Sequence, residues 1–211
     1  MMIRVLIADD HAVVRQGLKQ ILGGASGMMA AGEATNGQEA LAMVRAEKWD
    51  VVVLDISMPD RSGLDVLKEL KAERPNLPVL ILSMYAEEQY AMRVLKAGAS
   101  GYLSKESTAD ELVKAIAKVV AGGRYVSPSL AEKLAFEMGG DTSKLPHETL
   151  SDREFQVLRL IAAGKSVKDI AADLSLSAKT ISTYRSRLLE KLNLGNNAEL
   201  MHYAVQNHLI D

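Results

Sequence analysis

Asp9, Asp10, Asp55, Ser83 and Lys105 are the residue types that accepting a phosphoryl group requires. The apolar run 5–8 leads into Asp9-Asp10, the run 51–54 into Asp55, and the run 79–82 into Ser83, while Lys105 closes the segment Gly101-Tyr102-Leu103-Ser104. Three carboxylates gathered in one place repel, and one of them would ordinarily hold a proton. A hard divalent cation resolves that conflict. Mg2+ suits it, because it takes oxygen ligands while keeping several waters and a substrate phosphate. Asp55 is then the natural nucleophile, since a carboxylate that attacks a phosphoryl group gives an aspartyl phosphate. The cation and Lys105 would offset the charge on the transferred group, and Ser83 would hydrogen-bond one of its oxygens afterwards. Taken singly, each residue has a plainer reading. Adjacent acids are commonly an exposed turn, a strand Ser or Tyr is commonly structural, and His11 beside a helix start is commonly a cap or surface residue, so His11 is left outside the set.

The runs that deliver these residues have the near-continuous apolar character of parallel strands buried on both faces. Strands are expected near 3–8, 28–33, 50–55, 79–83 and 101–104, with helices near 12–22, 37–47, 62–73, 86–97 and 108–121. Asn36-x-x-Glu39 and Thr108-x-x-Glu111 have the spacing of reciprocal N-terminal caps, and Gly98 and Gly122-Gly123 are helix stops. This alternation predicts an α/β doubly wound, five-stranded parallel sheet of order 2-1-3-4-5 with right-handed crossovers. Ligands on such sheets bind at the carboxyl ends of the strands, and this order brings Asp10 and Asp55 together there.

Residues 123–149 break the alternation. Ser127-Pro128-Ser129 can start a short helix through about Met138, and Gly139-Gly140-Asp141-Thr142-Ser143 with Pro146 reads as a tether, so the boundary between a first domain (1–122) and a second (150–211) falls in this linker. The second domain is small and all-α. Ser151-x-x-Glu154 caps a helix that stops at Gly164, a short helix carries Val167, Ile170, Ala171 and Leu174, Ser177 caps a longer helix over 178–192, and a last helix spans about 198–207. Two short helices joined by a tight turn are the helix-turn-helix unit.

A length of 211 residues allows one or two domains. The absence of cysteine excludes disulfides and thiolate metal sites. The amino terminus runs from a short apolar stretch straight into two aspartates, which is no signal peptide, and no apolar run approaches the ~20 residues of a membrane helix. A soluble cytoplasmic protein without membrane contact is expected. Net charge is −2, and residues 150–211 carry eight Lys and Arg against seven Asp and Glu, so a nucleic-acid partner must be argued from where charge sits rather than from its sum.

The pieces Leu6-Ile7-Ala8-Asp9-Asp10-His11, Leu54-Asp55-Ile56-Ser57-Met58-Pro59, Leu82-Ser83, Lys96-Ala97-Gly98-Ala99 and Gly101-Tyr102-Leu103-Ser104-Lys105 occur in order. So do Leu150-Ser151-x-Arg153-Glu154, Gly164-Lys165-Ser166, Lys168-Asp169-Ile170-Ala171, Leu174-x-Leu176-Ser177, Thr180-Ile181 and Lys191-Leu192. With these motifs the chain resembles a two-component response regulator, a flavodoxin-like receiver over about 3–122 followed by a LuxR-type helix-turn-helix domain over about 150–209. The resemblance implies a transcription regulator, not an enzyme beyond its own phosphotransfer and dephosphorylation, whose phosphoacceptor is Asp55 and whose phosphodonor is a sensor histidine kinase or a small molecule. It also implies that Asp10, Asp55 and the backbone carbonyl of Ser57 bind Mg2+, that Asp9 holds a metal-bound water, and that Ser83 and Tyr102 rearrange on phosphorylation with Lys105 at the phosphoryl group. One departure stands out. Many receivers have Pro after the lysine, often with a cis bond, whereas Glu106 is next to Lys105 here. A non-proline cis bond costs roughly 2.5–4 kcal/mol, so none is assumed.

On helix 178–192, Ile181, Leu188 and Leu192 share the face that must pack inward. The opposite face offers Ser182, Thr183 and Ser186 to base edges in double-stranded DNA. Lys179, Thr180 and Arg187, with Lys168 of the preceding short helix, are placed for phosphates, and Arg185 for either. A homodimer formed on phosphorylation is expected to strengthen binding at paired half-sites, with Leu200, Tyr203 and Ala204 of the last helix as candidate contacts. Two other functions compete. A haloacid-dehalogenase-type phosphatase would need a second Asp two residues after its nucleophile, and Ser57 stands there. An interaction module with a protein or RNA partner would fit the weak charge of the second domain.

Overall fold

The computed structural model describes residues 2–58, 61–84, 87–127, 130–132, 145–174, 176–207 and 209–210. The chain divides into two compact units, Met1–Gly139 and Gly140–Asp211.

The first unit alternates strand and helix. Its strands are β1 (Ile3–Ala8), β2 (Met28–Ala34), β3 (Val51–Asp55), β4 (Val79–Ser83) and β5 (Gly101–Ser104), and its helices are α1 (Ala12–Gly24), α2 (Gly37–Ala46), α3 (Gly63–Glu73), α4 (Glu87–Lys96) and α5 (Ala109–Val120). The five strands form one parallel sheet in the order β2-β1-β3-β4-β5. All five residues of β3 and of β4 are buried, as apolar runs covered by helices on both faces must be. Val5, Ile7, Val53 and Leu82 pack with Leu18 and Leu22 of α1 and Leu112 and Ile116 of α5 in one core.

Local chemistry sets the helix ends. Thr108 and Glu111 form the reciprocal cap of α5. The cap of α2 is only half of what the spacing suggests. Asn36 accepts from the Glu39 amide, but the Glu39 carboxylate turns to the amide and hydroxyl of Thr35 instead. Beyond α5 the chain returns to the sheet edge, where Tyr125 bridges Gly101 in parallel. The Tyr102 amide donates to the Tyr125 carbonyl at 3.2 Å and the Tyr125 amide to Ser100 at 2.9 Å. Ser127 then accepts from the Leu130 amide, and 130–132 are helical, as expected of a helix start. The remainder of that expected helix and the Gly139–Ser143 tether lie outside the described residues. No cis peptide occurs among the described residues.

The second unit opens with a 3-10 turn (Pro146–Thr149), then α6 (Asp152–Ala162), α7 (Val167–Asp173), α8 (Ala178–Leu192) and α9 (Asn197–Gln206). Reciprocal caps start α6, from Ser151 and Glu154, and α7, from Ser166 and Asp169. Phe155, Leu158, Ile161, Ile170, Ile181, Leu188, Leu192, Leu200 and Ala204 are buried and form its core.

Candidate functional site

Parallel strands that end together bring the residues at their carboxyl ends to one rim. Asp9 and Asp10 come directly after β1, Asp55 ends β3, Ser83 ends β4 and Lys105 comes directly after β5. Residues Ala8 and Leu54 are paired in register, as are Asp55 with Leu82 and Ser83 with Ser104, so the five positions are neighbours across four strands. Asp55 and Asp9 are almost fully buried, at 1% and 2% exposed, and Ser83 is wholly buried. Lys105 reaches between the two acids, its Nζ 2.8 Å from Asp55 Oδ2 and 2.7 Å from Asp9 Oδ2.

Other contacts hold the set in place. The Ser57 amide donates to Asp55 Oδ1 at 3.1 Å, and the His11 amide donates to Asp9 Oδ1 at 2.8 Å. Arg15 on α1 fixes the Asp9 main chain through Nη1 to the carbonyl at 2.8 Å. The Lys105 amide donates to the Ser83 carbonyl at 2.8 Å. Gly63 matters by its lack of a side chain, since a Cβ there would stand 2.0 Å from the Asp55 carbonyl oxygen. The close pass of α3 beneath Asp55 therefore needs glycine, a requirement that pairing and helix signals do not reveal.

Burial raises the Asp55 pKa, and the Asp9 carboxylate adds to that, while the Lys105 charge and the Ser57 amide work against it. Burial disfavours the Lys105 ammonium, but the carboxylates of Asp55 and Asp9 more than offset it and raise the Lys105 pKa. Charge of both signs is therefore held out of water by mutual contact.

Ligand atoms of Asp9, Asp10, His11 and Asp55 lie within 4.8 Å of one another, close enough to hold one metal ion. Asp9 Oδ2 and Asp10 Oδ1 are buried atoms without a directed hydrogen bond, although each has an ion-pair contact. Buried carboxylate oxygens in that state, with oxygen donors around them, fit a hard cation. Residue type alone leaves His11 outside the set, yet its Nδ1 lies 2.9 Å from Asp10 Oδ1 and 3.2 Å from Asp9 Oδ1. It also occupies the N-cap position of α1 without capping it through its side chain. Tyr102 sits in β5 with its ring buried.

In the second unit, α8 buries Ile181, Leu188 and Leu192 and exposes Lys179, Ser182, Thr183, Ser186 and Arg187, and Lys168 on α7 is also exposed. The three hydroxyl candidates are not idle. Ser182 donates to the Ala178 carbonyl, Thr183 to Lys179 and Ser186 to Ser182, at 2.9, 3.0 and 3.1 Å. Thr180 shares the helix cap with Ser177, and Arg185 Nε donates to Asn197 Oδ1 at 2.5 Å, tying α8 to α9. Two of the expected dimer contacts need correction, because Leu200 and Ala204 are fully buried in their own unit. Tyr203 is half-buried, and its hydroxyl accepts from the His147 amide at 3.2 Å. The large apolar side chains that α9 leaves open are Met201 and Val205.

Residues 5–117 match the response regulator receiver domain, and residues 148–204 match the bacterial regulatory proteins of the luxR family. The chain is 39% identical over 210 residues to the response regulator GacA of Pseudomonas protegens, covering 100% of this chain and 99% of that protein. It is 36% identical to the response regulator UvrY of Escherichia coli strain K12, covering 99% and 96%. A solved structure of RcsB from Salmonella enterica serovar Typhimurium, bound to promoter rprA with the phosphomimetic BeF3-, superposes with a TM-score of 0.66 at 28% identity, covering 96% of this chain and 98% of that one. Among the described residues, no helix is long and apolar enough to cross a membrane.

Proposed function

The chain belongs to the two-component response regulators, as a transcription regulator with a receiver and a LuxR-family DNA-binding domain, and from that premise we propose that Mg2+-dependent phosphorylation of Asp55 controls its binding to DNA. The observation that carries this reading is the buried Asp55 carboxylate, held 2.8 Å from Lys105 among three further metal-competent side chains. We assign the receiver to 1–122, the connecting segment to 123–149 and the DNA-binding domain to 150–211, in a cytoplasmic protein.

A carboxylate oxygen of Asp55 attacks the phosphorus of a phosphohistidine on a partner histidine kinase, or of a small phosphodonor. One P–N or P–O bond breaks as the new O–P bond forms, and the leaving group takes the electron pair. Asp10, Asp55 and the Ser57 carbonyl would hold Mg2+, with Asp9 reaching it through water. That ion supplies neutralisation of the phosphoryl oxygens and of the crowded carboxylates. Lys105 stands ready to move with the transferred charge, because it already bridges Asp55 and Asp9. Ser83 and Tyr102 then respond to the new oxygens.

On DNA, α8 enters the major groove. Ser182, Thr183 and Ser186 face base edges, and Lys179, Thr180, Lys168 and Arg187 face phosphates. Arg185 is committed to Asn197 and acts by fixing the angle of α8 unless that bond opens. The RcsB complex on promoter DNA with BeF3- supports a DNA partner and a phosphorylated binding form. Short Ser and Thr readers on one small domain supply little affinity, so two copies on adjacent half-sites are needed. A coupling of about 1–3 kcal/mol between phosphorylation and assembly would tighten a homodimer roughly 5–150-fold. Met201 and Val205 are the α9 side chains suited to that contact.

Incubation with Mg2+ and acetyl phosphate should add one phosphoryl group by mass and tighten binding to a two-half-site duplex. Asp55→Ala should lose both responses while keeping its fold. Labelling that persists in Asp55→Ala would refute the assignment.

A further inference from the structure

We propose that the receiver unit carries a second ligand site, for a small phosphorylated dianion, in the cavity bounded by Lys71, Ser100 and Arg124 at the amino-terminal rim of the sheet. The cavity measures about 410 Å³ and lies where β4 and β5 begin, beside Pro78 and Ser100. A five-residue strand separates that rim from the Asp55 rim, on the order of 15 Å. The size falls within the range of small-molecule sites and leaves room for a phosphate ester rather than a bare ion.

Charge distinguishes this cavity. Lys71 and Arg124 line it, and among the described residues no carboxylate does. The neighbouring hollow around Trp49 is lined by acids as well as bases, and those acids are already engaged. Glu47 is taken by Arg4, the Asp50 carboxylate by the Arg4 amide, and Glu73 by Arg45. Lys71 is held in place. A Cβ on Gly98, whose φ is +101°, would come 3.1 Å from Lys71 Cγ, so the stem runs directly over that glycine. Its Nζ donates to the Leu77 carbonyl at 2.6 Å and the Pro75 carbonyl at 3.3 Å, which uses two of its three hydrogens.

Those two bonds have a plainer purpose, since they staple the loop after α3. They do not account for a second cation. Burial holds the Lys71 pKa below its ordinary value and the Arg124 charge pushes the same way, with no acid working against them. Two like charges at one small cavity, one of them half-buried, are relieved by a doubly charged partner. A phosphate offers it, because the Arg fork can take two of its oxygens while the last Lys71 hydrogen takes another. Ser100 adds a donor, since its Oγ accepts from the Val79 amide at 3.4 Å and its own proton stays available.

The test uses the full chain as the Asp55→Ala variant, isotopically labelled, without divalent cations, so that the outcome does not depend on the Asp55 reading. Phenyl phosphate, a dianion at slightly alkaline pH, is titrated at constant ionic strength and read by amide shifts. Saturable shifts at Ser100, Gly122, Gly123 and Arg124 are expected, with a dissociation constant on the order of 1 mM or tighter. Lys71→Gln should weaken binding about tenfold. Because that change also removes the loop staple, Arg124→Gln, at an exposed residue, is the decisive variant and should weaken binding to the same degree. Lys48→Gln, near the other hollow, should change nothing. Succinate at equal concentration should not saturate the same amides. Shifts that fail to saturate, equal binding by Arg124→Gln, or equal response to succinate would each overturn the proposal.

Discussion

The Asp55 rim and the exposed face of α8 both gather polar side chains, and they are assembled by opposite means. At the Asp55 rim, two carboxylates are almost fully buried and a lysine bridges them at 2.7 and 2.8 Å. On α8 the candidate readers are exposed, and each hydroxyl already donates to a carbonyl one turn back. Burial makes every charge contact at the rim strong, so that adding one cation or one phosphoryl group must reorder the rest. Exposure makes the α8 contacts weak and interchangeable with water, so the helix face changes little until a duplex displaces that water. A rim under electrostatic conflict suits a switch, and a relaxed, solvated face suits a reader.

Removing the bridge is the most forceful way to break this contrast. Lys105→Met leaves two buried carboxylates without a counter-charge, and at neutral pH without divalent cations it should cost the receiver roughly 3–5 kcal/mol. Added Mg2+ should recover part of that. Asp10→Asn should act with the opposite sign, stabilising the metal-free receiver while weakening Mg2+ binding. Urea melts monitored through Trp49, the single tryptophan, report on this unit because its Nε1 donates to the Met43 carbonyl. A Lys105→Met melt that overlays the parent protein would show that the rim is not under the stated strain.

The α9 helix tests the other side. Leu200 is fully buried, and Leu200→Ala should cost about 2–5 kcal/mol of the second unit's stability. Met201→Ser with Val205→Ser should leave that stability unchanged and weaken binding only to a duplex with two half-sites. Equal loss on a single half-site would remove these two residues from the dimer contact.

Much of the rim is legible in the sequence because parallel strands announce themselves as apolar runs and set the residues at their carboxyl ends along one edge. Asp9, Asp55, Ser83 and Lys105 are brought together on that logic alone. His11 and Gly63 are not legible. The His11 ring meets Asp10 only because of how the chain enters α1, and Gly63 is required by a backbone approach that no side-chain pattern encodes. On α9 the periodicity itself is ambiguous. Leu200 and Ala204 make one apolar pair and Met201 and Val205 another, one position along, so only packing decides which is buried. The readers' hydroxyls are identifiable as exposed, but their turn onto the helix backbone depends on rotamers, which residue type leaves open.

That turn sharpens what α8 should read. With its proton on the Lys179 carbonyl, Thr183 presents lone pairs and favours a base edge that donates, cytosine N4 or adenine N6. Thr183→Ala should relax preference at one such position by roughly 1–3 kcal/mol. Lys179→Ala should weaken binding to every sequence and lower the salt slope by about one. Selection from random duplexes separates the two, and uniform loss from both variants would mean that the helix is oriented differently in the groove.

The smallest effect expected lies beneath α8, where the two styles of construction meet. Glu154 is a buried acid inside the helical unit, accepting from the Ser151 amide and hydroxyl and from Lys191 at 2.7 Å. Burial pushes its pKa up, but the Lys191 and Ser151 contacts win and hold it below the ordinary 4.5. A carboxyl whose folded pKa is depressed stabilises the fold above its unfolded pKa and loses that contribution as pH falls through the folded value. The second unit should therefore weaken as pH drops below 4.5, with neutral pH on the plateau. Lys191 is 42% exposed, so water screens the pair and its share is held to about 1 kcal/mol or less. Lys191→Met should lower stability by that amount at pH 7 and narrow the gap to the parent protein as Glu154 protonates. Glu154→Gln should cost more than Lys191→Met at pH 7, because it weakens the Ser151 cap as well. If the Lys191→Met gap does not narrow on acidification, the cap and not the ion pair governs the titration of Glu154.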